Sequence, residues 1–220
     1  MTGPGRVELA WYAAARGIVE VFCRVFWRLR VTGAEHVPAA GPFVLAPVHR
    51  SYLDTLFCGC VTRRRIRFMG KDSLWRWAWS GRLVSSLGAF AVHRDRPDRE
   101  ALRACEEALA NGEPVVIYPE GERKSGPGLH PLLDGAAFVA SRAGVPLVPV
   151  GIGGSEWAMP KGARLFRPVK VAVVVGAPLT PPTLAPGRRV PRHQVSQLTA
   201  QLREELQRSF DAALAGAGRR

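Results

Sequence analysis

FVLAPVHRSYLDTLFCGC, residues 43–60, changes its hydrophobic period midway. Residues 43–48 form an apolar run of strand length, and 52–60 read as a helix. The polar junction between them places His49 five residues ahead of Asp54, where a strand would hand over to a helix. A His whose second ring nitrogen is held by a carboxylate is a competent general base. The carboxylate fixes the tautomer and stabilises the imidazolium formed when a hydroxyl proton is taken. Asp54 has an alternative role as a cap for the following helix, which would leave His49 an ordinary loop residue.

The same alternation recurs along the chain. Further strands are expected at 66–69, 89–93, 114–118, 147–152 and 169–175, and further helices at 73–87, 98–110, 131–143 and 195–214. In the last of these, Val195, Leu198, Leu202, Leu206, Phe210 and Leu214 recur every three or four residues, the signature of a core-facing helix. Strands alternating with helices predict an α/β fold: a twisted, mostly parallel sheet flanked by helices, with sites at the strand ends.

Composition bounds the function. At 220 residues with 47% hydrophobic content, the chain is long and apolar enough for one full core and is not a disordered protein. The formal charge is +13, and residues 61–104 alone hold eleven Arg or Lys against four Asp or Glu. Such a face attracts nucleic acid, anionic lipid headgroups or phosphorylated small molecules, or is simply a solvated Arg-rich surface. No helix-turn-helix, RNP or zinc-finger pattern accompanies it, so nucleic acid is not an expected partner. Cys23, Cys58, Cys60 and Cys105 show no paired spacing, which points to thiols rather than disulfides or a metal site. MTGPGRVELA lacks the basic and apolar regions of a secretory signal, and PLTPPTLAPG at 178–187 reads as a Pro-rich linker.

Residues 9–29 have the length of a membrane span, but Arg16, Glu20, Arg24 and Arg28 interrupt it every four residues. Each charge would cost about 2.5–3.5 kcal/mol at the bilayer centre, which argues against spanning. At about 100° per residue the four form one stripe, opposite Trp11, Ile18, Phe22, Val25, Phe26 and Leu29. The pattern suits a helix lying in a membrane interface or one packed on the domain core, and the two are compatible. Residues 1–34 are therefore expected to form an amphipathic, membrane-associating helix, and 35–220 the α/β domain. Trp75 and Trp79 can share one helical face, as interface anchors or core filling.

Four blocks in order, VHRSYLD at 48–54, GAFAVHR at 88–94, YPEGERK at 118–124 and VPLVPVGI at 145–152, resemble the glycerolipid acyltransferase family. The resemblance covers roughly residues 40–155 and includes bacterial lysophosphatidic acid acyltransferases. It implies that His49 and Asp54 are the catalytic pair. It also implies that Arg94, Glu120, Gly121 and Arg123 belong to the substrate site, with Lys71 near the acceptor phosphate. Glu120 would orient cations or loop amides, and Gly121 would let the loop approach the phosphate closely. Pro146 and Pro149 match the fourth block. The chain departs from the family at Val48, where Asn is frequent, and at Glu122, where Thr or Ser is usual.

The resemblance implies transfer of a fatty acyl group from acyl-CoA or acyl-carrier protein to lysophosphatidic acid, giving phosphatidic acid at the cytoplasmic face of the cell membrane. Glycerol 3-phosphate or another lysophospholipid is the alternative acceptor, and a non-enzymatic membrane- or nucleic-acid-binding protein is the alternative outside the enzyme reading. No metal or bound cofactor is implied, and an anionic membrane surface is the expected partner.

Overall fold

The computed structural model describes residues 5–92, 98–160, 162–163, 165–182 and 189–218. Its strands are β1 (Arg30–Thr32), β2 (Val44–Pro47), β3 (Arg67–Lys71), β4 (Ala89–Val92), β5 (Val115–Val116), β6 (Leu147–Gly153) and β7 (Ala172–Val175). They form one sheet in the order β1–β7–β6–β2–β5–β3–β4. Every neighbouring pair is parallel except β6 and β7. The mostly parallel α/β sheet flanked by helices agrees with the alternation in the sequence.

The helices are α1 (Arg6–Phe26), α2 (Asp54–Gly59), α3 (Ala78–Ser86), α4 (Asp98–Ala110), α5 (Gly135–Ala143), α6 (Ser155–Ala158) and α7 (Arg192–Gly216). Three departures from the sequence reading have local causes. β1 is only three residues long, too short to show a period, and exists by pairing with β7. The helix expected over 73–87 divides into a 3-10 turn, Asp72–Trp75, and α3, because Trp77 between them is extended. The helix expected from 131 starts four residues late, because the chain before it donates elsewhere: Leu133 N–H bonds the Pro119 carbonyl at 2.7 Å.

β2 and β6 are buried along their whole length, so the sheet centre is the core. α7 lies directly on β6, and its six periodic apolar residues are all buried. Gly151 and Gly153 make this close approach possible, since a Cβ at either would overlap the α7 backbone at Ser209 or Ala213. The backbone contact sets the depth at which β6, and hence β2 beside it, sits under α7.

α1 packs with an unusual polarity. Tyr12, Cys23 and the flanking Trp27 are buried, and Arg16 and Glu20 lie on the protein side, paired at 2.6 Å, whereas Arg24, which reaches Glu20 at 2.5 Å, and Arg28 are exposed. Val7, Trp11, Ile18, Val21, Phe22 and Val25 are exposed. Trp27 anchors the end of α1 by edge contacts with Phe57 and Phe166 and an indole hydrogen bond to the Arg167 carbonyl at 3.0 Å. Among the described residues, no helix is long and apolar enough to cross a membrane.

Candidate active site

β2 delivers the chain to the C-terminal edge of the parallel sheet, where open α/β sheets place their sites. Two residues beyond it stands His49, and the turn that follows leads into α2, whose first residue is Asp54. His49 Nδ1 lies 3.0 Å from Asp54 Oδ2. The backbone N–H groups of Arg50 and Ser51 donate to the same oxygen at 2.6 and 2.7 Å, and Asp54 is completely buried. Two amides, an imidazole and burial hold this carboxylate in one orientation. A carboxylate can only accept, so Nδ1 is the donor and Nε2 carries the free lone pair, the tautomer that a base requires.

Tyr118 completes the frame of the imidazole. Its ring stacks on His49 with centroids 3.9 Å apart and planes 22° from parallel. Its hydroxyl bonds Thr55 Oγ1 at 3.1 Å, tying β5's exit to α2. Burial, and then the nearby Cys58 and Asp54, push the Tyr118 hydroxyl well above its usual pKa, so it stays neutral. Burial and the charge of Asp54 likewise push the Cys58 thiol up, which makes it a packing residue and not a nucleophile.

Arg50 is a site residue that the sequence reading missed. Its side chain is buried, with Nη1 2.6 Å from Glu120 Oε2. The remaining guanidinium donors reach the carbonyls of Gly126 at 3.1 Å, Gly128 at 3.0 Å and His49 at 3.2 Å, and its plane lies over Phe210 of α7. Glu120 accepts, besides Arg50, the backbone N–H groups of His49 at 3.2 Å and His130 at 3.1 Å. Glu120 thus orients loop amides and a cation, but the cation is Arg50. The available signal was the charge itself, an Arg wedged between His49 and a turn in an otherwise apolar, buried stretch, with a Glu needing a partner in the other block.

The loop after β5 brings the remaining residues alongside. Lys124 N–H donates to the His49 carbonyl at 2.8 Å, which fastens the two blocks together. Gly121 has a positive φ of 73°, a backbone conformation that favours glycine, while a Cβ there would meet only the movable tip of the exposed Leu133 side chain. The Arg123 guanidinium carbon lies 3.5 Å from the centre of the Tyr52 ring, and its Nη1 is buried without a hydrogen-bond partner. Glu122 is turned aside to Lys124 Nζ at 2.7 Å. Lys71 ends β3. Arg94 lies outside the described residues. Among the described residues, no three His, Cys, Asp or Glu side chains group so as to hold a metal ion.

Residues 28–153 match the family described as Acyltransferase, a span that opens before β1 and contains His49, Asp54 and the whole 118–124 loop. The chain belongs to this family. It is 31% identical to the 1-acyl-sn-glycerol-3-phosphate acyltransferase of Bacillus subtilis (strain 168), over 69% of this chain and 73% of that one. It is 32% identical to the enzyme of the same name from Chlamydomonas reinhardtii over 71% of this chain and 48% of the relative. The human alpha form is 30% identical over 72% and 57%. The chain therefore spans about half the length of the algal and human acyltransferases. The crystal structure of the 1-acyl-sn-glycerophosphate (LPA) acyltransferase PlsC from Thermotoga maritima shares the acyltransferase fold. It superposes with a TM-score of 0.74 at 23% identity, covering 94% of this chain and 83% of that one.

Proposed function

We propose that this acyltransferase moves a fatty acyl group from a thioester, of coenzyme A or of a carrier protein, to the free hydroxyl of lysophosphatidic acid, giving phosphatidic acid. The observation that carries this reading is the His49 imidazole, held through Nδ1 by a buried carboxylate, with Nε2 left to meet a hydroxyl. The relatives named as 1-acyl-sn-glycerol-3-phosphate acyltransferases support the choice of acceptor.

In this reading His49 Nε2 takes the hydroxyl proton as the oxygen attacks the thioester carbonyl, and Asp54 stabilises the imidazolium. The tetrahedral intermediate collapses, the C–S bond breaks, and the thiolate leaves with the proton returned by His49. A simple thiol has a pKa of about 8.5, so no separate strong acid is needed. A positioned base contributes about 10² to 10⁴ in rate. Arg123, with Arg94 and Lys71, holds the acceptor phosphate, since guanidinium groups grip phosphate oxygens through paired donors.

The outward apolar face of α1 meets the lipid in which acceptor and product reside. Trp77, Trp79 and Leu83 around α3, and Leu165 and Phe166 beyond α6, are exposed as well. Trp11 of α1 donates to Ser86 of α3 at 3.1 Å, so these two elements present neighbouring surfaces. The protein then works as a peripheral enzyme at the cytoplasmic membrane face.

Thiol release from palmitoyl-CoA, followed with lysophosphatidic acid, with glycerol 3-phosphate and with no acceptor, tests the proposal. Release that requires lysophosphatidic acid is the expected result. Equal release without an acceptor would make the protein a thioesterase, and release only with glycerol 3-phosphate would change the acceptor.

A further inference from the structure

Arg123, half-buried, is held in a way that differs from Arg50, the buried cation of the site. Arg50 has four of its five N–H donors engaged, by a carboxylate and three carbonyls. Arg123 rests with its guanidinium carbon 3.5 Å from the Tyr52 ring centre, and its Nη1 has neither solvent nor a hydrogen-bond partner. The neighbouring carboxylate, Glu122, bonds Lys124 through Oε1. An ion pair would fix the orientation of Arg123 by consuming its N–H groups. An aromatic face fixes the plane of the guanidinium and leaves the edge donors for something else.

Tyr52 is well placed to be such a support. It lies in the turn between His49 and Asp54, whose amides at Arg50 and Ser51 are tied to the Asp54 carboxylate. The turn that orients the base therefore also carries the ring under Arg123. The Tyr52 side chain is 61% exposed, so it is a surface shelf and not core filling.

We propose that Tyr52 is a positioning residue for acceptor recognition: its ring seats the Arg123 guanidinium beside the turn that carries His49, leaving N–H donors uncommitted to the protein for the acceptor phosphate. The proposal rests on the reading that Arg123 binds that phosphate. It implies that the chain couples two requirements, phosphate seated and hydroxyl at the imidazole, through six consecutive residues, 49–54.

The test measures kcat and KM for lysophosphatidic acid and for uncharged monoacylglycerol in Tyr52→Phe, Tyr52→Leu, Arg123→Ala and the Tyr52→Leu/Arg123→Ala double variant. Loss of a cation–ring contact corresponds to about a three- to thirtyfold effect. Tyr52→Leu is expected to raise KM for lysophosphatidic acid by about that factor, with kcat nearly constant and KM for monoacylglycerol unmoved. Tyr52→Phe, which keeps the ring, restores the KM. In the Arg123→Ala background the Leu substitution adds nothing. Equal losses with both acceptors, or an effect that persists without Arg123, would overturn the role of Tyr52 while leaving Arg123 as the phosphate ligand. An Arg123→Ala protein that keeps the full preference for the phosphorylated acceptor would overturn both.

Discussion

Arg50 Nη1 and Glu120 Oε2 meet at 2.6 Å inside the protein, one from the turn after β2 and the other from the loop after β5. Each also touches the His49 backbone, Arg50 through the carbonyl and Glu120 through the amide. The pair is the joint between the turn that holds the base and the loop that holds Arg123.

Breaking one side of this joint leaves a buried charge without its counterpart. Arg50→Met and Glu120→Gln are each expected to lose about 3–5 kcal/mol of stability. Urea unfolding of both single variants and of the double variant measures it. The double variant should lose much less than the sum, because no uncompensated charge remains. Additive losses would show that the two side chains act separately.

His49→Ala should abolish acyl transfer in a protein that still unfolds cooperatively, because the imidazole is partly exposed and its removal leaves the Asp54–amide contacts in place. Asp54→Asn should lower kcat by about a hundredfold or more, since an amide cannot stabilise the imidazolium. Steady-state thiol release with lysophosphatidic acid, paired with a thermal melt, checks both. Wild-type turnover in a folded His49→Ala protein would remove His49 from the chemistry.

Single glutamates on the outer face of α1 should weaken membrane binding without touching the fold. Ile18 and Val25 are 73% and 75% exposed, and burying such a side chain in lipid contributes about 1.5–3 kcal/mol. Ile18→Glu and Val25→Glu are expected to lower partitioning onto anionic liposomes by about tenfold each, with Tm unchanged. Sedimentation with vesicles measures it, and wild-type binding by both variants would place the lipid contact elsewhere. Deleting residues 1–30 is a poorer test, because it would also remove the buried Cys23 and Trp27.

Stability should fall in alkali. Burial pushes Cys105 up to about 12 and raises Cys58 and Tyr118. These groups fold protonated, so their contribution is complete below the unfolded pKa values, about 8.5 for Cys and 10 for Tyr, and is lost as pH rises beyond them. Each contributes about 1.4 kcal/mol per pH unit in that window. Urea midpoints at pH 8 and pH 10.5 should show a marked drop, with a shallower one in Cys105→Ala. A midpoint independent of pH over that range would contradict the assignment.

The residues that alternate between strand and helix periods were enough to predict a mostly parallel α/β sheet, because burial of a central strand demands an unbroken apolar run such as 43–48, and α7 can only face β6 with its periodic leucines. The His49 and Asp54 spacing was also legible, since five residues is a local distance across one turn. Other features depend on partners far away in the chain. β1 has no pattern of its own and forms only against β7, more than 140 residues later. Arg50 looks like a surface Arg until the β5 loop supplies Glu120, 70 residues on. The amphipathic period of α1 could not say which face turns inward; the seats of Tyr12, Cys23 and Trp27 turn Arg16 and Glu20 toward the protein and leave Ile18, Val21, Phe22 and Val25 outside, with Arg24 exposed beside them. Periodicity reports how residues are spaced along an element, whereas the choice of neighbour is a long-range decision made by packing.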